Sequence, residues 1–243
     1  MYGPPDEDDA GHEVTGACSS LTGACSTFTF FTTVSAASFD QALTITTVTA
    51  SGGLTFNGGS AIDDVTGSTG NDSLTGNDGA DILLGGAGDD ILDGGADDDT
   101  LTGGAGADTL TGGAGADDFV FASGDTANPN AGNFDVIKDM TIGTGADADK
   151  VTITSHALSA NAAITNGVYI FANNPANLTL AIDEVQAMAN TEGANKAVAF
   201  QFENDTYIFG SGASNANKDD ILIQLEDTSV ATMTVNTSVF TFA

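Results

Sequence analysis

Aspartate recurs at every ninth position through the middle of this chain, at Asp63, Asp72, Asp81, Asp90, Asp99, Asp108 and Asp117. Carboxylates are hard oxygen donors, and hard donors on a turn-rich backbone select Ca2+ over softer metals. Between Gly58 and Val120 there are fourteen aspartates and no lysine or arginine, so this stretch supplies no positive partner of its own. Acid–base catalysis accounts for the carboxylates less well. The two histidines, His12 and His156, are far apart, and neither an HExxH pair, a GxSxG nucleophile turn nor a phosphate-binding loop occurs. An EF-hand is excluded as well, because no twelve-residue loop ends in glutamate. The chain is expected not to be an enzyme.

The elements that must position these aspartates follow from the same period. Seven nonapeptides run without insertion: GGSAIDDVT, GSTGNDSLT, GNDGADILL, GGAGDDILD, GGADDDTLT, GGAGADTLT and GGAGADDFV. Position one is always Gly and position six always Asp. Position eight is always apolar: Val65, Leu74, Leu83, Leu92, Leu101, Leu110 and Phe119. A Gly-rich opening predicts a tight turn. An apolar residue between two others at the end of the unit predicts a short strand. Two units make one coil of eighteen residues, and strands of alternate units stack in parallel into two facing sheets. One sheet presents Val65, Leu83, Leu101 and Phe119 inward and the other Leu74, Leu92 and Leu110. Aspartates eighteen apart then lie one above the other, giving five pairs: Asp63–Asp81, Asp72–Asp90, Asp81–Asp99, Asp90–Asp108 and Asp99–Asp117. Asp135, eighteen residues beyond Asp117, is expected to close a sixth, so that about five or six Ca2+ ions bind. One apolar side chain per nine residues is a thin core, and the stacked carboxylates repel, so the roll should fold only with its counter-ion. A disordered Gly/Asp-rich linker would have no reason to hold an apolar residue at the same place in seven units. Ala61 and Asp97 depart from Gly at position four, and Ser68 and Asn77 from Gly at position two.

The nonapeptide resembles the RTX (repeats-in-toxin) repeat, a known calcium-binding parallel β-helix unit. The later segments FDVIKDMTIGTGADADKVTI (134–153), AVAFQFENDTYIFGSG (197–212) and KDDILIQLED (218–227) are similar to the C-terminal region of type I-secreted bacterial surface-layer proteins. The resemblance implies an all-β fold: a calcium-stabilised parallel β-roll, flanked by β-rich N-terminal and C-terminal capping regions, with one short helix. It also implies export by type I secretion machinery, which reads an uncleaved C-terminal signal. The apolar, uncharged tail 234–243 is similar to such signals and equally fits a final strand. An extracellular or cell-surface location follows. So does a structural role, with self-association into a surface layer, filament or matrix. The alternative is a calcium-dependent adhesin for glycans or ice, using the outward positions Thr66, Thr75, Leu84, Asp93, Thr102, Thr111 and Val120.

The rest of the chain divides into an acidic arm with a Thr-rich β region (1–57), the roll with its closing segment (58–153) and a β-rich cap (154–243). Segments Ser26–Val34 and Leu43–Thr49 are β-prone and are expected to cap the open end of the roll. Residues 178–190 form the best helix candidate, with Asp183 and Glu184 near its start. A hairpin is expected around Glu203-Asn204-Asp205. The net charge is −30, with four lysines, no arginine and 34 acidic residues. Nucleic acid is therefore excluded as a partner. No apolar run approaches the ~20 residues of a membrane helix, and the acidic N-terminus lacks the basic-then-apolar order of a cleaved signal. Cys18 and Cys25 could form a local disulfide outside the cell; free thiols or a bond to a second chain remain open. The sequons at Asn71, Asn177, Asn204 and Asn236 are weak glycosylation signals, the first lying inside a turn.

Overall fold

A computed structural model describes residues 33–35, 42–45, 52–122, 125, 134–143, 145–154, 159–160, 168–169, 178–192, 196–210, 221–228, 233–236 and 239–242. Its first twelve strands are β1 (Thr33–Ser35), β2 (Thr44–Ile45), β3 (Thr55–Asn57), β4 (Asp64–Thr66), β5 (Ser73–Asp78), β6 (Ile82–Ala87), β7 (Ile91–Ala96), β8 (Thr100–Ala105), β9 (Thr109–Ala114), β10 (Asp118–Phe121), β11 (Asp135–Ile137) and β12 (Lys150–Ile153). Odd-numbered strands build one sheet and even-numbered strands the other. Each strand pairs in parallel with the strand one coil away. Leu74 sits beside Leu92 and Leu92 beside Leu110, while Val65, Leu83, Leu101 and Phe119 follow one another in the second sheet.

This is the parallel β-roll that the nine-residue period implies. The strand alternation sends position eight inward, and each position-eight side chain from Val65 to Phe119 is at most 1% exposed. The core is a single file of interleaved Leu, Val and Phe between two sheets. The apolar residues form one continuous cluster from Val34 to Val151 and Ile153.

The N-terminal segments depart from the expectation of a cap. Val34 pairs with Phe56, Phe56 with Leu74, and Ile45 with Val65, all in parallel register. Strands β1 to β3 therefore continue the coil instead of closing over its end. The physical reason is that Val34, Ile45 and Phe56 stand where position eight would, and all three are buried. The rest of segments 26–34 and 43–49, the residues Cys18, Cys25, His12 and His156, and the arm before Thr33 lie outside the described residues.

After β12 the fold changes from parallel coils to antiparallel hairpins. The later elements are β13 (Ser159–Ala160), β14 (Val168–Tyr169), α1 (Leu178–Glu192), β15 (Lys196–Phe202), β16 (Asp205–Gly210), β17 (Ile221–Leu225), β18 (Met233–Asn236) and β19 (Val239–Phe242). Strand β17 pairs in parallel with β11 and antiparallel with β16, which pairs with β15. In the other sheet β19 lies antiparallel to β12 and forms a hairpin with β18. The expected hairpin turn is Glu203–Asn204, with Glu203 in the left-handed region at φ 59°. The tail thus ends as a paired strand.

Alternation along β15, β16 and β17 divides their side chains. Ala197, Ala199, Ile208, Ile221, Ile223 and Leu225 join the core of the roll. Val198, Phe200, Tyr207, Phe209 and Leu222 face outward and are covered by Ala181, Ile182 and Val185 of α1. Phe200 stacks on Tyr207 at 5.2 Å, and Phe134 meets Tyr207 edge-on at 5.9 Å. The helix is thereby fixed over β15 to β17 and leaves the outer face of the preceding coils free of it.

Because the core is one side chain deep, no second layer can relax into a hole. Leu92→Ala should cost about 2–5 kcal/mol, measured as the shift of the urea midpoint at fixed excess calcium.

Candidate metal centre

The turns place the position-six aspartates in two files, one along each edge of the roll. Each aspartate is almost wholly buried, Asp63, Asp72, Asp81, Asp90, Asp99, Asp108 and Asp117 being at most 3% exposed. One carboxylate oxygen of each is held by backbone from the neighbouring coil. The amide N–H of Asp63 donates to Oδ1 of Asp81, that of Asp72 to Asp90, Asp81 to Asp99, Asp90 to Asp108 and Asp99 to Asp117, all at 2.7–2.9 Å. These are the five stacked pairs expected from the eighteen-residue spacing.

The other oxygen is different. Oδ2 of Asp81, Asp90, Asp99, Asp108, Asp117 and Asp135 is buried and has no hydrogen-bond partner. Burying an unpaired charged oxygen is among the costliest features a fold can contain. The position-one glycine explains how it is accommodated. A Cβ on Gly76, Gly85 or Gly94 would overlap both the Oδ2 of the aspartate five residues on and the position-one carbonyl of the next coil. So a carboxylate oxygen and a backbone carbonyl oxygen converge against the bare Cα, and no donor reaches either Oδ2. Two acceptors turned toward one point with no proton between them fit a cation with oxygen preference, which is the donor set of Ca2+.

The departures at positions two and four fit the same frame. Asn77 adopts φ 78° and Asp97 φ 77°, matching the left-handed backbone of the glycines they replace at Gly86 and Gly88. Asn and Asp are the side chains that tolerate this region best. Ser68 has a separate effect. Its amide donates to Oδ2 of Asp72 at 2.5 Å and its hydroxyl to Oδ1 at 2.8 Å, so Asp72 has protein donors on both oxygens. Oδ2 of Asp63 accepts from Gly59 N–H at 3.3 Å.

Asp135 lies in the file, fully buried, but not beside Asp117. The amide of Asp108 donates to Asp135 Oδ1 at 2.8 Å, and the amide of Asp117 donates to Asp149 Oδ1 at 2.9 Å. The expected Asp117–Asp135 pair is thus corrected to Asp108–Asp135 and Asp117–Asp149. The eighteen residues from Asp117 to Asp135 span half a coil plus a nine-residue insertion, not a full coil. Asp135 therefore falls on the opposite edge, in the sheet of β9 and β11.

Asp149 was not among the expected ligands. Its signal survives in sequence as Asp-x-apolar-x: Asp149-Lys150-Val151-Thr152, as in Asp135-Val136-Ile137-Lys138. A second, outer series of acceptors was also missed. Asn71 Oδ1 accepts Asp89 N–H at 3.0 Å, Asp89 Oδ1 accepts Ala107 N–H at 3.0 Å, and Asp98 Oδ1 accepts Ala116 N–H at 2.9 Å. The sequon residue Asn71 is thereby part of the coil-to-coil bonding.

At the N-terminal end the files stop. Leu54, eighteen residues before Asp72, and Leu43, twenty before Asp63, stand in the position-six place and are buried. The amide of each donates to the next carboxylate, Leu43 to Asp63 at 2.8 Å and Leu54 to Asp72.

Burial raises the pKa values of this cluster, and neighbouring carboxylates raise them further, against the lowering effect of the amide donors. Asp81, Asp90 and Asp117 are pushed up to about 6, Asp99 and Asp108 to about 7, and Asp135 to about 8.

Among known families, the RTX calcium-binding nonapeptide repeat, four copies, matches this chain over residues 57–92 and again over residues 93–126. No curated protein matches the chain. Residues 57–126 carry RTX calcium-binding repeats, folded as a β-roll, and these repeats support calcium binding.

Two outcomes follow from the geometry. A folded carboxyl raised above its unfolded value near 3.8 favours the fold below that value, and the contribution is lost as pH rises through the folded value. In excess chelator the β signal in circular dichroism should therefore be strongest near pH 4 and fall away between about pH 6 and pH 8, the range over which these six groups ionise. Gly94→Ala, which drives a methyl into Asp99 Oδ2, should weaken calcium-dependent folding, whereas Gly52→Ala, with open space around it, should be nearly neutral; calcium titrations followed by circular dichroism compare the two.

Proposed function

We propose that this chain is an extracellular structural protein that folds on meeting external calcium and then self-assembles as part of a surface layer, filament or matrix. The observation that carries the calcium half is the set of six buried carboxylate oxygens without a donor. Calcium, when bound, supplies the positive charge and the demand for oxygen donors that these atoms lack. The residues that would hold it are Asp63, Asp72, Asp81, Asp90, Asp99, Asp108, Asp117 and Asp135, with Asp149 at the C-terminal end and position-one carbonyls such as that of Gly94. The six orphan oxygens put the number of ions at about six. Ligands of this kind are pre-formed only in the folded chain, so metal binding and folding are one equilibrium. Extracellular modules hold calcium with Kd of about 10⁻⁴–10⁻³ M. The chain would stay unfolded where calcium is scarce and fold where it is plentiful.

The structural half is supported by what the residues offer. The position-six aspartates are already employed in the coil-to-coil bonding. The parallel coils form a flat-sided rod, closed by hairpins at its C-terminal end. No helix among the described residues is long and apolar enough to cross a membrane. The same charge argument that excludes nucleic acid favours a crowded, calcium-rich exterior, where six ions would bring −30 to about −18 (−30 plus twelve). Type I export and a cell-surface location belong to this reading through the repeat family.

Far-UV circular dichroism with millimolar calcium chloride and with excess EGTA tests the first half. Calcium should convert a disordered spectrum to a β spectrum, and equilibrium dialysis against millimolar calcium should find about six ions per chain. An ordered β spectrum of equal size in EGTA would sink it. Asp99→Asn, which removes one orphan oxygen from mid-file, should raise the calcium midpoint several-fold and lower the count. Electron microscopy tests the second half: ordered assemblies in calcium and dispersed chains in chelator are expected.

A further inference from the structure

The outward faces of the two sheets are much less charged than the turns that flank them. Position eight points into the core, so positions seven and nine point out. On the first sheet, position seven runs in unbroken register through Thr33, Thr55, Ser73, Ile91, Thr109 and Val136. None of these carries a charge, in a chain whose net charge is −30. On the second sheet, the uncharged row is position nine: Thr66, Leu84 and Thr102 in register, then Val120 beside Thr152. Among the described residues, four large hydrophobic side chains are exposed, and two of them stand on these strands. Ile91 is 57% exposed on one face and Ile82, on the same strand as Leu84, is 48% exposed on the other.

We propose that copies of this chain stack face to face through these two uncharged rows, the occupant of each face being a second copy of the chain. The inference rests on the self-assembly reading above and names its surface. The argument is electrostatic. Two copies that both carry a large negative charge repel wherever their turns approach, and the acidic turns lie along both edges of the roll. On the sheet faces carboxylates are few, Asp93 beside the first row and Asp64 and Asp118 beside the second, so a row-to-row contact opposes fewer like charges than an approach through the turns. Threonine and isoleucine side chains on a flat sheet also give up little rotamer freedom on contact.

The size of the faces sets the character of the assembly. Six strands at roughly 4.8 Å spacing, with about 10 Å of strand across them, make a face of about 250 Å², well short of the ~800 Å² per partner in a stable dimer. One contact is therefore weak. The two rows lie on opposite sides of the roll, so contacts propagate from copy to copy instead of closing on a dimer. The helix α1 covers the outer side of β15 to β17 and limits stacking on the first sheet to the coils before it. Screening of the acidic turns should strengthen the contact, so association should rise with sodium chloride at fixed calcium.

The experiment uses the full chain in excess calcium, with sedimentation velocity across a range of protein concentrations. Ile91→Glu and Leu84→Glu each place a carboxylate in the middle of one row. Each alone should shorten the assemblies, and the double variant should sediment as a monomer with the wild-type circular dichroism and calcium count. Ile91→Thr with Leu84→Thr keeps both rows uncharged and should assemble as wild type does. If the double glutamate variant is folded and assembles like wild type, the surface is wrong while the self-assembly reading stands. If wild type stays monomeric at every concentration, both fail; retention of that monomer on cellulose or chitin would assign the rows to a neutral glycan. Should the glutamate variants not fold, the salt series on wild type decides: association rising with sodium chloride supports the stacking, and association falling with it overturns it.

Discussion

The roll depends on carboxylates that have one oxygen tied to a backbone amide and, from Asp81 onward, the other buried without a donor. The amide bond sets the distance between coils and repeats it along both edges. The free oxygen makes that arrangement unsustainable alone, because burial and like neighbours both favour protonation. Everything distinctive about the repeat answers this conflict. Glycine at position one leaves room for the oxygen, and the left-handed turn brings the carbonyl of the next coil to it. One apolar side chain per strand suffices because the cohesion along the axis comes from the edges as well as from the middle.

The repeat was legible because its constraints act at fixed intervals. A residue that must be bare, a residue that must be acidic and a residue that must be apolar recur in step, the signature of a repeat architecture. Val65 to Phe119 therefore took their places in two sheets as read, and so did Asp63 to Asp117 in their pairs. Legibility failed where chain length between coils changed. Asp135 is eighteen residues from Asp117, the spacing of a full coil, yet an insertion carries it across to the other edge. Counting cannot separate nine plus nine from eighteen; only the pairing of β11 with β9 does. Asp149 was hidden for the same reason, and the residue five before it is Thr144 where the repeat has glycine, while its Asp-x-apolar-x ending remains. Before Gly58 the coil continues with neither glycine nor aspartate in step, so Val34, Ile45 and Phe56 read as ordinary β-prone residues.

The C-terminal part solves a different problem. A stack of parallel strands presents an unpaired edge at its last coil, and such an edge invites uncontrolled pairing. Strand β17 joins β11 in parallel and then turns the sheet antiparallel through β16 and β15, while β19 joins β12 antiparallel and turns back through β18. The positive charges of the chain begin here. Lys138 meets Glu226 at 2.5 Å and Lys150 meets Asp118 at 3.3 Å, tying the last coils with fixed side chains where the repeats have only carboxylates. The outward aromatic residues Phe200, Tyr207 and Phe209 give this end a second core beneath α1. Its cohesion is that of an ordinary globular domain.

Leucines 43 and 54 hold the place of the ligand aspartate while their amides still reach for the carboxylate that follows. The donor in the bond that spaces the coils is a main-chain amide and only the acceptor must be an aspartate, so the donor residue's side chain is free to change. A file of ligands can consequently end on a dry coil, which adds length to the rod without binding another ion.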